Sequence, residues 1–210
     1  MALKFKYRLF SFLGAPVYLH VTFLLVYIFF LERSNGDWSF ALLSGTTFLC
    51  LMLAHEMGHA YFVRKYQHDL TGIKIYPIHG QCEYEIYEEW EPETLIIAGG
   101  LIAQILLLIF WFVFINGIQF LGFVYVESLL YPITRVLIDL NILILILNSL
   151  PIPGLDGYEL WRRFGSYIAT HLKRFRTKEN NRPKPVPTNN QDSPEKIVDL
   201  ALKRIQKRKK

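Results

Sequence analysis

Apolar residues come in long blocks along this chain. Residues 9–31, 38–63, 94–115 and 118–150 are dominated by Leu, Ile, Phe, Val and Tyr, whereas residues 64–93 and 161–210 carry most of the charge. A water-soluble core spreads its apolar positions at periods near 3.6 or 2, so unbroken blocks point to lipid. A helix needs about 20 apolar residues to cross a bilayer. The blocks therefore predict about four transmembrane helices: Val17–Leu31, with the apolar stretch before it at the interface, then Trp38–Val63, Thr94–Ile115 and Pro132–Leu150. Residues 117–131 are apolar but contain glycine and Glu127, and predict a short re-entrant or interfacial piece.

The polar segments have patterns of their own. Between the second and third spans, Ile73, Ile75 and Ile78 and the alternation in "CEYEIYEEW" predict two short strands about Pro77 and Gly80, a small β-hairpin at the cytoplasmic face. Residues 157–172 have the pattern of an amphipathic helix along that face. Residues 177–193 are a disordered linker by composition. Residues 194–210 predict a basic amphipathic tail helix, with Ser193 as N-cap, Pro194 at the first position and Ile197, Leu200, Ala201 and Ile205 on one face. The expected class is an all-α polytopic membrane protein with about four transmembrane helices, a small cytoplasmic-face β-hairpin and a basic C-terminal tail. Its expected divisions are a core over 1–160, an interfacial helix over 161–176, the linker and the tail.

Charge orients this plan. The formal net charge is +5, with much of the basic excess in the last fifty residues and no basic–aromatic module around it, so nucleic acid is not an expected partner. Lys4, Lys6 and Arg8, then Arg64, Lys65 and Lys74, then Arg162, Arg163 and the tail fall on one side if there are four spans. The opposite loops hold Glu32, Arg33, Asp37 and Glu127. Both termini are then expected in the cytoplasm, and a bacterial cytoplasmic membrane is the expected location. Cys50 and Cys82 give no disulfide framework and are expected reduced. No cleavable signal pattern is expected, since the first apolar run ends in "LERSNGD".

One span breaks its own rule. "LMLAHEMGHAYFV" inserts His55, Glu56 and His59 into an apolar run, where ionisable groups are costly unless they serve a purpose. Four residues apart on a helix, His55 and His59 share a face and can reach one Zn²⁺, with Glu56 beside them as a base. Zinc hydrolases usually add a third protein ligand. The candidates are Glu83, Glu85, Glu88, Glu89, Glu91, His79, Asp139, His171 and Asp156. Depth separates them. His55 is about 25 Å along from Trp38 at 1.5 Å per residue, in the inner third of the bilayer. Pro151, Pro153 and Gly154 break the last span at a similar depth, just before Asp156. Asp139 lies too high, and the loop glutamates alternate like exposed strand residues. His68, His79 and His171 are expected as ordinary surface or interface histidines, and His20 as an interfacial histidine opening the first span.

In HEMGH, and in "NSLPIPGLDG" with its N-x-x-P-x-x-x-L-D-G pattern, the chain resembles the site-2 protease family of intramembrane zinc metalloproteases. "IIAGGLIAQILL" resembles the family's A-G-P-x-x-N segment, with Gly100 in place of the proline and Gln104 close to the place of the asparagine. "GAPVYLHVTFLL" resembles the opening of the first span. The resemblance implies one zinc per chain held by His55, His59 and Asp156, with Glu56 as catalytic base. It also implies substrate contact by Asn148, and by Gln104 if that amide takes over the asparagine's place. The expected partners are a transmembrane protein substrate, the lipid bilayer and a regulatory membrane protein. The rival readings are a catalytically silent membrane binding protein of the same fold and a metal transporter. The first would lack a ligand or the glutamate. The second would spread ionisable residues over several depths.

Overall fold

The computed structural model describes residues 6–85 and 93–180. Strands β1 (Lys6–Phe12) and β2 (Ala15–His20) form a hairpin, followed by a 3-10 turn (Val21–Phe23) and helix α1 (Leu24–Arg33). Helix α2 (Trp38–Lys65) leads to a second hairpin, β3 (Asp69–Ile75) and β4 (Gly80–Glu85). Helix α3 (Glu93–Phe120) turns into α4 (Val124–Thr134), which continues through a π-helical segment (Arg135–Leu140) into α5 (Asn141–Ser149). Helix α6 (Asp156–Asn180) closes the described chain. The chain divides into two compact units, Met1–Phe164 and Gly165–Lys210.

Among the described residues, three stretches are long and apolar enough to cross a membrane: Trp38–Lys65, Thr94–Phe120 and Tyr125–Ser149. The polarity of the structure is turned outward in. Leu106, Ile109, Phe110 and Val113 of α3 are exposed, whereas Gln104 on the same helix is fully buried, as are Asn141 and Ser44. That is the arrangement lipid favours, with apolar side chains outside and polar ones facing the bundle. Helices α2 and α3 meet at Gly58 and Gly99, where a Cβ on either residue would collide with the other's carbonyl. Small residues let the two backbones approach this closely. Asp37 caps α2, its Oδ1 accepting from Ser39 N (2.8 Å) and Phe40 N (3.1 Å).

The first expected span is corrected. Residues 6–20 are a strand hairpin, and α1 has 10 residues, about 15 Å, which is half the bilayer core. The 3-10 turn and helix α1 pack on the first half of α2 through Phe23 and Phe48, 6.1 Å apart, and Phe30 and Phe48, 6.5 Å apart. His20 therefore ends a strand and does not open a span. The single hairpin is corrected too. Among the described residues the sheet has four strands in the order β1-β2-β3-β4, antiparallel, parallel, antiparallel. Parallel strands need a crossover, and α1 and α2 supply it between β2 and β3. Val17 pairs with Ile73 and Leu19 with Ile75, and Val17, Ile73 and Ile75 are fully buried.

The re-entrant piece over 117–131 is absent as a separate element. Residues 117–120 end α3, and residues 124–131 begin the helical run of the last candidate span, eight residues ahead of the expected Pro132 start. Pro132 lies inside α4, where it removes a backbone hydrogen bond, and the π-helical segment follows within one turn. Helix α6 contains the expected interfacial helix and runs to Asn180, four residues into the expected linker. Residues 181–210, with the rest of the linker and the tail helix, lie outside the described residues, as do Glu88, Glu89 and Glu91.

Candidate metal centre

Helix α2 carries His55, Glu56 and His59 on its inward side, all buried. The 3.6-residue period puts both imidazoles on one face, as the spacing requires. His59 Nδ1 lies 2.7 Å from the carbonyl oxygen of Ile96 at the start of α3. A carbonyl only accepts, so Nδ1 carries the proton and Nε2 presents a lone pair. That Nε2 lies 3.1 Å from His55 Nε2.

Asp156 arrives from the other end of the chain. Helix α5 stops at Ser149, residues 150–155 cross the gap, and α6 starts at Asp156. Two contacts fix that start. A Cβ on Gly157 would overlap the backbone of Asn148, Ser149 and Leu150, so only glycine lets α6 sit this close to the end of α5. The indole Nε1 of Trp161 donates to Ser149 O at 2.9 Å. Asp156 Oδ2 is thereby held 3.1 Å from His55 Nε2 and 3.3 Å from His59 Nε2.

These three ligand atoms all lie within 4.8 Å of one another, and among the described residues they are the group of three that suits a metal ion. The donor set fits zinc. Ligands about 2.0–2.1 Å from a tetrahedral ion stand about 3.3 Å apart. The His59 lone pair and the Asp156 carboxylate are two acceptors 3.3 Å apart, which repel unless a cation lies between them. Asp156 Oδ2 is buried and makes no hydrogen bond.

Glu56 stands at the edge of this group, its Oε1 3.9 Å from His55 Nε2. Two glycines clear the surrounding space. A Cβ on Gly80, the first residue of β4, would overlap the Glu56 carboxylate, and one on Gly100 would overlap both imidazoles. The group opens into a cavity of about 530 Å³ walled by apolar side chains of α1 and α5 and lined by Gln104, Asn148 and His79. Gln104 is fully buried, with neither Nε2 nor Oε1 hydrogen-bonded. Asn141, also fully buried, donates to the Gln104 carbonyl at 3.1 Å.

The sequence-predicted residues thus divide. His55, Glu56, His59 and Asp156 come together, and Asn148 and Gln104 line the same cavity. Glu83 pairs with Lys74, and Asp139 pairs with Arg135 on the π-helical segment. His79 is exposed, as expected of a surface or interface histidine, and also borders the cavity with its ring stacked on Tyr76 at 4.8 Å, whereas His68 is buried. Asn141 and Trp161 went unnoticed in the sequence and Gly80 was read only as a turn residue, because each acts at this site through a partner 12 or more residues away. Burial pushes the Cys82 thiol up to about 12, with the Glu56 and Glu83 charges adding to it, so Cys82 is no thiolate ligand.

No family model matches the chain. Its sequence is 30% identical over 179 residues to a zinc metalloprotease of Methanocaldococcus jannaschii, covering 81% of this chain and 49% of the relative. The chain thus spans about half the length of the curated relative it matches. The fold is similar to that of a site-2 protease from Methanocaldococcus jannaschii, with a TM-score of 0.56 and 24% identity, over 77% of this chain and 72% of that chain.

Proposed function

We propose that the chain belongs to the site-2 protease family and is an intramembrane zinc endopeptidase that hydrolyses peptide bonds in or near transmembrane segments of other proteins, a reading supported by its sequence likeness to a zinc metalloprotease and in keeping with its fold. The observation that carries this reading is the convergence of His55, His59 and Asp156 within hydrogen-bonding distances, beside Glu56, at the wall of an apolar cavity. His55 Nε2, His59 Nε2 and Asp156 Oδ2 would hold one zinc ion. Bound there, zinc supplies a Lewis acid that polarises a peptide carbonyl and lowers the pKa of water.

The remaining work falls to the chain's own groups. Glu56 takes a proton from the attacking water and passes it to the leaving amine. Asp156 and the His59–Ile96 hydrogen bond keep the ligand atoms facing one another. The apolar walls limit water around the site. A substrate helix hides its peptide bonds and must unwind to be cut. Gln104 offers one free donor and one free acceptor, the complement of a peptide group, and Asn148 offers a second amide at the same cavity. Strand β4 is an edge of the sheet, and its first residue touches Glu56, so an unwound segment can pair along β4 next to the base.

Strands β1 and β2, the end of α2 and the start of α6 gather at one end of the first unit. Arg8, Arg64 and Lys74 lie on these elements or beside them, and we read that end as cytoplasmic. The test is cleavage of a single-span reporter by the reconstituted full chain, with Glu56→Gln alongside. The reading requires zinc-dependent cuts within or beside the reporter's span that Glu56→Gln does not make. Equal cleavage by both proteins would count against it.

A further inference from the structure

Helix α6 presents an exposed apolar stripe. Tyr158, Trp161, Phe164 and Ile168 recur at steps of three and four, within about 120° of arc at 100° per residue. Each is exposed, at 39%, 54%, 55% and 40% respectively. Glu159, Arg162 and Ser166 lie on the opposite side, with Arg162 paired to Glu159 at 2.5 Å. This is the pattern of a helix that lies in a membrane interface, with an apolar, aromatic-rich face and a charged one. It is too polar overall to span. The bilayer is also within reach, because α5, the end of the last candidate span, stops at Ser149 and α6 begins at Asp156.

The same helix carries Asp156 as its first residue. Gly157 abuts the end of α5, and Trp161 donates its indole N–H to Ser149 O while leaving its ring exposed. Residues 156–164 thus carry Asp156 and three side chains of the stripe on one short stretch of helix. We propose that the Tyr158–Trp161–Phe164–Ile168 stripe docks on the surface of the leaflet where α5 ends, and that this lipid contact keeps Asp156 against His55 and His59. The docking stands independently of the protease reading. Its effect on Asp156 rests on the metal reading.

The experiment uses the full chain with Cys50→Ser and Cys82→Ser, reconstituted in vesicles of phosphatidylcholine with phosphatidylglycerol. Single spin labels are placed at 158, 164, 168, 162 and 166. Labels at 158, 164 and 168 should collide with oxygen and be shielded from a water-soluble nickel chelate, and labels at 162 and 166 should show the reverse. Stripe labels as open to the chelate as 162, or shielded from both reagents as under a protein partner, would overturn the docking. A second measurement reads Asp156. Phe164→Gln with Ile168→Gln should lose zinc to a chelator about tenfold more readily than the parent, the scale of a lost supporting contact. Ser166→Gln should not. Equal zinc retention by parent and double variant would overturn the coupling. A parent chain that takes up no zinc, with the label pattern intact, would overturn the metal reading and leave the docking standing.

Discussion

Replacing Glu56 by Gln keeps the shape of the side chain and removes its ability to accept a proton. Loss of a general base costs about 10²–10⁴-fold in rate. Glu56→Gln should therefore retain its zinc and fall by that factor in a cleavage assay. Gly80→Ala acts on the same residue from outside, because the new Cβ must displace the Glu56 carboxylate or the β4 backbone. It should lower kcat at least tenfold while zinc content stays at the parent level. Cys82 gives a prediction about pH. Its thiol is held up at about 12, so the thiolate is scarce below that pH. Alkylation of Cys82 in the folded chain should be negligible at pH 8, complete after unfolding, and should rise only as the pH approaches 12. Much at this scale was legible. His55, Glu56 and His59 stand out because ionisable residues in an apolar helix have few bland explanations. Asp156 follows from the helix break at Pro151, Pro153 and Gly154. Gly80 and Gly157 were not legible, since a missing side chain leaves no sign of what approaches it.

Elements were legible where their signal is local. Helix α2 begins at Trp38 as its apolar block predicts, and β3 and β4 flank the turn at Pro77–His79. Strands β1 and β2 were read as an interface and a span because β2 has its partner 56 positions away, Val17 against Ile73. An apolar strand and an apolar half-helix look alike until that partner is known. The continuous helix through residues 124–149 was hidden by Pro132, which reads as a start signal but here lies within a helix. This yields a topology prediction. Reporters after Lys65 and after Leu155 should both report the cytoplasm, and reporters at Asn35 and Leu121 the opposite side. A reporter after Leu155 on the opposite side from one after Lys65 would contradict the shared end.

For the whole molecule, the balance rests on polar groups placed inside and apolar ones outside. Gln104 leaves a buried amide with neither its nitrogen nor its oxygen satisfied, a cost of about 1–3 kcal/mol that a bound peptide group would offset. Gln104→Leu should therefore hold or raise thermal stability in detergent while raising KM for a transmembrane substrate. Residues 181–210 follow every candidate ligand in sequence, and truncation after Asn180 should leave zinc content unchanged. The central claim is that two histidines of α2 and the first residue of α6 hold one metal ion together. Metal analysis of the purified full chain tests it most directly, with parent, Glu56→Gln and Asp156→Ala measured side by side. One zinc per chain is expected in the parent and in Glu56→Gln, with most of it gone from Asp156→Ala. Stoichiometric zinc in Asp156→Ala, or none in the parent, would contradict it.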